Sequence, residues 1–99
     1  MKAVVIEPAA ERQIRQAFAW YERQSTGLGQ RFVDELDRLI QSISQFPRSF
    51  PEVTAGVRRA VEQRFGFNVA YVQDDELVYV IAVVHGSRHP DAWMKPDDD

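Results

Sequence analysis

The nine residues Leu77–His85 (LVYVIAVVH) place an apolar side chain at every position before the closing histidine. Valine and isoleucine make up most of the run, with the polar Gln73-Asp74-Asp75-Glu76 before it and Gly86 after it. A β-branched run of this length between turn residues reads as a strand. Strict alternation puts Leu77, Tyr79, Ile81, Val83 and His85 on one face and Val78, Val80, Ala82 and Val84 on the other. Both faces are therefore apolar, and strands of that kind sit in sheets covered on both sides.

The rest of the chain must supply the cover. Lys2–Glu7 (KAVVIE) is a short β-branched run ending at Pro8, read as a first strand with the proline opening a helix. From Ala9 to about Ser25 the apolar residues Ala10, Ile14, Ala17, Phe18 and Tyr21 recur at helical spacing, and Gly27 and Gly29 supply a turn. A second helix follows from about Gln30 to Phe46, with Phe32, Leu36, Leu39, Ile43 and Phe46 as its stripe and Pro47 as its stop. Arg48–Gly56 reads as a connector, followed by strand-like Val57–Phe65 and Phe67–Gln73. The order β-α-α-β-β-β segregates a helix pair from a run of strands, the pattern of an α+β fold. An antiparallel helix hairpin then packs on one face of a small, mainly antiparallel sheet. One helix pair covers one face; the other is sheltered either by the tail or by a second polypeptide, since large open apolar patches mark interaction sites.

The chain is 99 residues long, the size of one domain, here residues 1–96 with 97–99 as an acidic tail. Asp97, Asp98 and Asp99 account for the whole net charge of −3, so the body is neutral and unlike a non-specific nucleic-acid binder. With no cysteine there is no thiolate chemistry. No signal peptide is visible, and Leu77–Val84 is far short of the ~20 residues that span a membrane. A cytoplasmic location is the expectation. His85 and His89 have no cysteine or carboxylate in ligand spacing and no glycine-rich phosphate loop precedes a helix, so neither metal nor cofactor is expected.

An ordered set of residues runs through the helix pair (Ala10, Ala19-Trp20-Tyr21-Glu22, Gly27-Leu28-Gly29, Phe32, Glu35-Leu36) and the connector (Phe46-Pro47, Phe50-Pro51). It continues through Val57-Arg58-Arg59, Arg64-Phe65-Gly66-Phe67, Tyr71, Val80, Ala82-Val83-Val84-His85, Arg88, Pro90 and Trp93. Over nearly the whole chain this set resembles the RelE/ParE toxin superfamily, especially its ParE-like branch. The resemblance implies a growth-inhibiting toxin of a type II toxin–antitoxin module, of the plasmid-stabilisation kind, held inactive by a cognate antitoxin. It further implies contact with operator DNA only indirectly, through that antitoxin. ParE-like members poison DNA gyrase; RelE-like members cut mRNA on the ribosome.

The residues bear on which branch applies. Metal-free RNA cleavage needs a general base, charge stabilisation at the phosphate and a proton for the leaving oxygen. Asn68 stands where the resemblance places a catalytic arginine in RelE-like enzymes, and Trp93 stands where it places a tyrosine. Lys2 and Lys95 are the only lysines, so the lysine-rich strand of such enzymes is missing. The expectation is a non-hydrolytic, ParE-like toxin in which Arg58, Arg59, Arg64, Arg88 and Trp93 contact target or antitoxin alongside Val78, Val80, Ala82 and Val84. The alternative is a metal-independent endoribonuclease using His85, Arg59, Arg64 and Arg88, with His85 as base and Arg88 on the phosphate. A binding module that keeps the fold without toxicity is a second alternative. Ser87 beside His85 suggests a nucleophile–base pair without an orienting acid.

Overall fold

The computed structural model describes residues 1–87. Arg88, His89 and Trp93 lie outside the described residues. The chain forms β1 (Ala3–Ile6), α1 (Pro8–Gln24), α2 (Leu28–Gln45), β2 (Glu52–Thr54), β3 (Val57–Glu62), β4 (Phe67–Gln73) and β5 (Leu77–His85). The strands make one sheet in the order β1-β5-β4-β3-β2. β1 runs parallel to β5 and every other pairing is antiparallel. This is the expected α+β fold, with the helix hairpin on one face of the sheet.

The connector holds one element more than the sequence pattern suggests. β2 is a three-residue strand on β3, tied there by the Arg58 guanidinium, which donates to the carbonyls of Phe50 (2.5 Å) and Arg48 (3.3 Å). The Arg59 N–H donates to the Pro51 carbonyl at 3.0 Å. These bonds satisfy backbone acceptors that Pro51 and Gly56 made look like loop.

The hairpin turn is built around a carboxylate. Gly27 takes φ +89°, a left-handed conformation that costs a residue without Cβ nothing. Glu22, in the last turns of α1, accepts the N–H groups of Gly27 (2.8 Å) and Gly29 (3.0 Å). Its negative charge thus caps the N-terminus of α2 across the turn, where free donors and the helix dipole favour an anion. Gly29 also lets the helices close up, since a Cβ there would stand 2.7 Å from the Phe18 carbonyl oxygen.

Phe32, Leu36 and Ile43 from α2 and Ala10 from α1 are fully buried against Ala60, Val69, Tyr71, Val78, Val80 and Val83 of the sheet. Each large side chain among them contributes roughly 1.5–3 kcal/mol by leaving water. Tyr21, Phe32, Phe65 and Phe67 pack as an aromatic cluster, with Phe32 and Phe67 centroids 4.8 Å apart. Tyr71 is wholly buried, and its hydroxyl donates to the Pro47 carbonyl at 2.6 Å.

β5 does not alternate strictly. Ala70 pairs with Ala82 but Tyr71 pairs with Val80, so Ile81 is an extra residue and the strand carries a bulge. Past it the faces swap: Val78, Val80, Val83 and His85 look toward the helices, while Ile81, Ala82 and Val84 look away. The bulge frees the Val83 N–H from the ladder, and Gln13 of α1 reaches down to accept it at 2.8 Å.

Candidate functional site

Two regions gather the candidate residues: the sheet face turned away from the helices, and the rim where β5 ends beside the β3–β4 turn. On the reverse face Val57, Ala70, Ala82 and Val84 form a second cluster, less than a tenth exposed, with Val53, Val72 and Ile81 packed on it. The face is thus less open than alternation implies, because its alanines are enclosed by larger neighbours. Val61 (43% exposed) and Val5 (39%) are its large exposed apolar side chains.

The bulge corrects part of the expected contact set. Val78 and Val80 are completely buried beneath the helices and offer nothing to a partner; Ala82 and Val84 are on the reverse face. His85 is also displaced from its expected company. It stands across from Phe67, edge-on at 5.3 Å, on the side of the aromatic cluster and not beside Leu77, Tyr79 and Ile81.

The cations are dispersed. Arg58 is on the helix side of β3, bonded to the connector and 4.0 Å from Glu52. Arg64 is exposed on the rim, its Nε 3.4 Å from Glu35, which also pairs with Arg38 at 2.8 Å. Glu62 is 4% exposed and turned inward, accepting the N–H groups of Arg64 (2.7 Å) and Phe65 (2.8 Å). Arg59, opposite Ala70, is on the reverse face. Arg59 and His85 are therefore separated by the sheet itself. Asn68, paired with Val84, is buried on the reverse face.

At the rim the Ser87 N–H lies 3.2 Å from His85 Nδ1 and the Ser87 hydroxyl 2.8 Å from the same nitrogen, so Ser87 and His85 are joined by a local hydrogen bond at the end of β5. Among the described residues no group of three or more histidine or acidic side chains is arranged to hold a metal ion, and no helix is long and apolar enough to cross a membrane.

Burial pushes the Tyr71 hydroxyl up to about 12 despite the opposing pull of Arg58. Tyr21 is raised by burial and then by Glu62, and Tyr79 by desolvation and then by its bond to Asp74. Asp74 is lowered because the Leu77 and Glu76 N–H groups donate to it at the β4–β5 turn. None of these groups sits where a substrate phosphate would meet both Arg59 and His85.

The arrangement is a helix hairpin on one face of a mixed five-stranded sheet, with His85 on the helix side and Arg59 on the reverse side. The family model of the ParE toxin of the type II toxin–antitoxin system parDE matches residues 4–90, and the chain belongs to that family. Among solved structures it is similar to a chain of the chromosomal ParDE TA system from P. aeruginosa. The TM-score is 0.76 at 12% identity, over 86% of this chain and 96% of that one, a likeness of fold. None of the curated protein sequences matches significantly.

Proposed function

We propose that the chain acts in the cytoplasm as a non-hydrolytic growth inhibitor that binds DNA gyrase and is neutralised by a cognate antitoxin. The observation that carries this reading is the separation of Arg59 from His85 by the sheet, with Arg58 and Arg64 already engaged elsewhere. A nuclease must bring base and cation to one phosphate; a protein-binding toxin needs only presented surfaces, where arginine commonly anchors contacts. The similar chain from P. aeruginosa comes from a ParDE pair, which supports a protein antitoxin here.

Expression alone is expected to cause filamentation and a DNA damage response, and the purified chain to inhibit supercoiling by gyrase. Co-expression of the adjacent small reading frame is expected to restore growth. Arrest of translation within minutes, with mRNA ends placed by codon position, would replace this reading with the ribosome-dependent ribonuclease. Normal growth on expression alone would leave a binding module without toxicity.

A further inference from the structure

Helical spacing puts Phe46 in the apolar stripe of α2, but the structure takes it out. The helix stops at Gln45, and Phe46 turns to φ −133° and ψ 60°, since a residue ahead of proline is kept from the helical region. Its ring is 60% exposed, more than any other aromatic among the described residues, and belongs to neither apolar cluster. The backbone beneath it is nevertheless fixed. The Phe46 N–H donates to the Ser42 carbonyl at 2.8 Å, and the Ser49 N–H to the Phe46 carbonyl at 3.0 Å. The Pro47 carbonyl accepts the Tyr71 hydroxyl and the Arg48 carbonyl accepts Arg58. Four consecutive residues are thus tied down by their backbone groups, while the side chains of Phe46, Arg48 and Ser49 stand in solvent.

These residues line an open cleft of about 560 Å³, within the roughly 300–1,000 Å³ of binding clefts. Lys2, from the start of the chain, and Asp75, from the β4–β5 turn, line it as well. Lys2 is anchored there: its ammonium donates to the Gln73 side chain at 2.7 Å and to the Asp74 carbonyl, which leaves one of its three donors. The Arg48 guanidinium makes no hydrogen bond or ion pair among the described residues. The lining therefore carries two cations against one carboxylate, beside a bare aromatic ring. The end of α2 adds little negative charge, because the Ser42 and Ser44 carbonyls are taken by the N–H groups of Phe46 and Lys2.

We infer that this cleft seats an acidic segment of a partner protein, with an apolar side chain on the Phe46 ring and a neighbouring Asp or Glu carboxylate on the Arg48 guanidinium. The inference rests on the reading of the chain as a toxin that works by protein contact, and it adds where a partner docks and what it presents. A fixed backbone under an exposed ring lowers the ordering cost of binding, and aromatic and arginine side chains commonly anchor contacts. The carboxylate fits because a planar guanidinium takes it in a two-pronged grip. A nucleic-acid backbone fits less well, since Asp75 lines the same cleft and phosphate chains recruit several cations.

The test uses the full, isotopically labelled chain and three peptides, titrated while backbone amide signals are followed: acetyl-Gly-Phe-Glu-Gly-amide, its counterpart with Gln for Glu, and its counterpart with Ala for Phe. The first is expected to shift the amides of Lys2, Phe46, Arg48, Ser49 and Asp75 and to bind about threefold or more tighter than either of the others. Arg48→Gln is expected to erase the preference for glutamate and keep that for phenylalanine, and Phe46→Ala to do the opposite. Both side chains are exposed, so urea midpoints should match that of the unaltered chain. Equal binding of the three peptides by the unaltered chain overturns the inference whether or not the variants fold. So does a preference that survives in the folded variant meant to erase it, or binding that leaves these five amides unmoved. Inorganic phosphate shifting the same amides at lower concentration than the first peptide gives the cleft to a phosphate ligand and overturns it too. Shifts that grow with chain concentration before any peptide is added give it to a second copy, with the same consequence. Growth arrest without any peptide preference sinks this inference and spares the toxin reading; a preference without growth arrest does the reverse.

Discussion

Glu62 and Tyr71 are polar side chains spent on backbone groups inside the core. Each Glu62 oxygen accepts one N–H of the turn that leads out of β3, which fixes where Arg64 points and lets Phe65 fold back onto Tyr21 and Phe32. Glu62→Ala leaves both donors unmet and is expected to lower stability by about 2–4 kcal/mol, read from urea denaturation, while Glu62→Gln restores part of it through its carbonyl oxygen. Tyr71→Phe removes the bond to the Pro47 carbonyl without a cavity, at a cost of roughly 1 kcal/mol. Its pH dependence has a definite sign. The folded chain holds Tyr71 protonated up to about 12, above the ordinary 10.0, so the unfolded chain releases this proton first. The stabilisation is complete below pH 10 and is lost as pH rises toward 12. Urea midpoints measured across that window should fall less steeply for Tyr71→Phe, with a remainder from Tyr21 and Tyr79, which shift the same way.

The elements meet through two devices that a periodic reading does not contain. Gly29 lies at a close approach of α2 to the Phe18 carbonyl, so Gly29→Ala gains helix propensity worth at most ~1 kcal/mol and loses more to overpacking. A net loss of roughly 1–2 kcal/mol is expected in denaturation, without loss of helical circular dichroism. Gln13 couples α1 to the bulge of β5, and Gln13→Leu should cost about 1–3 kcal/mol and speed hydrogen exchange at the Val83 amide. Glu in its place keeps the acceptor and should keep the protection. The helices, β1 and the last three strands were legible because period 3.6 and period 2 are properties of residue order. β2 was not, since its pairing depends on Arg58 reaching the Phe50 carbonyl from a neighbouring strand. Nor was the bulge: an extra residue in a uniformly apolar strand changes no hydropathy, yet it moved Val78 and Val80 into the core and turned His85 toward Phe67. Arg59 could be named from the sequence, but its isolation could not, because Glu62 and Glu35 commit themselves to other groups only in three dimensions.

For the molecule as a whole the question is whether toxicity runs through chemistry or through contact, and His85 decides it. In a ribonuclease His85 is the base, and its removal abolishes killing, since proton transfer contributes about 10²–10⁴-fold to rate. The structure gives His85 a different setting: Nδ1 is hydrogen-bonded to Ser87, the ring lies edge-on to Phe67, and Arg59 is on the far side of the sheet. A ring so placed supports the end of β5 by packing and local hydrogen bonding. His85→Ala should therefore leave growth arrest and inhibition of supercoiling within about threefold of the unaltered chain, since a rim substitution away from a contact centre costs under ~0.5 kcal/mol. Scored by colony counts after induction, with protein levels matched by immunoblot, a loss of killing at equal abundance would return His85 to catalysis. Retained killing together with unbroken transcripts leaves contact as the mode of action, and directs mutagenesis to the reverse face and Arg59.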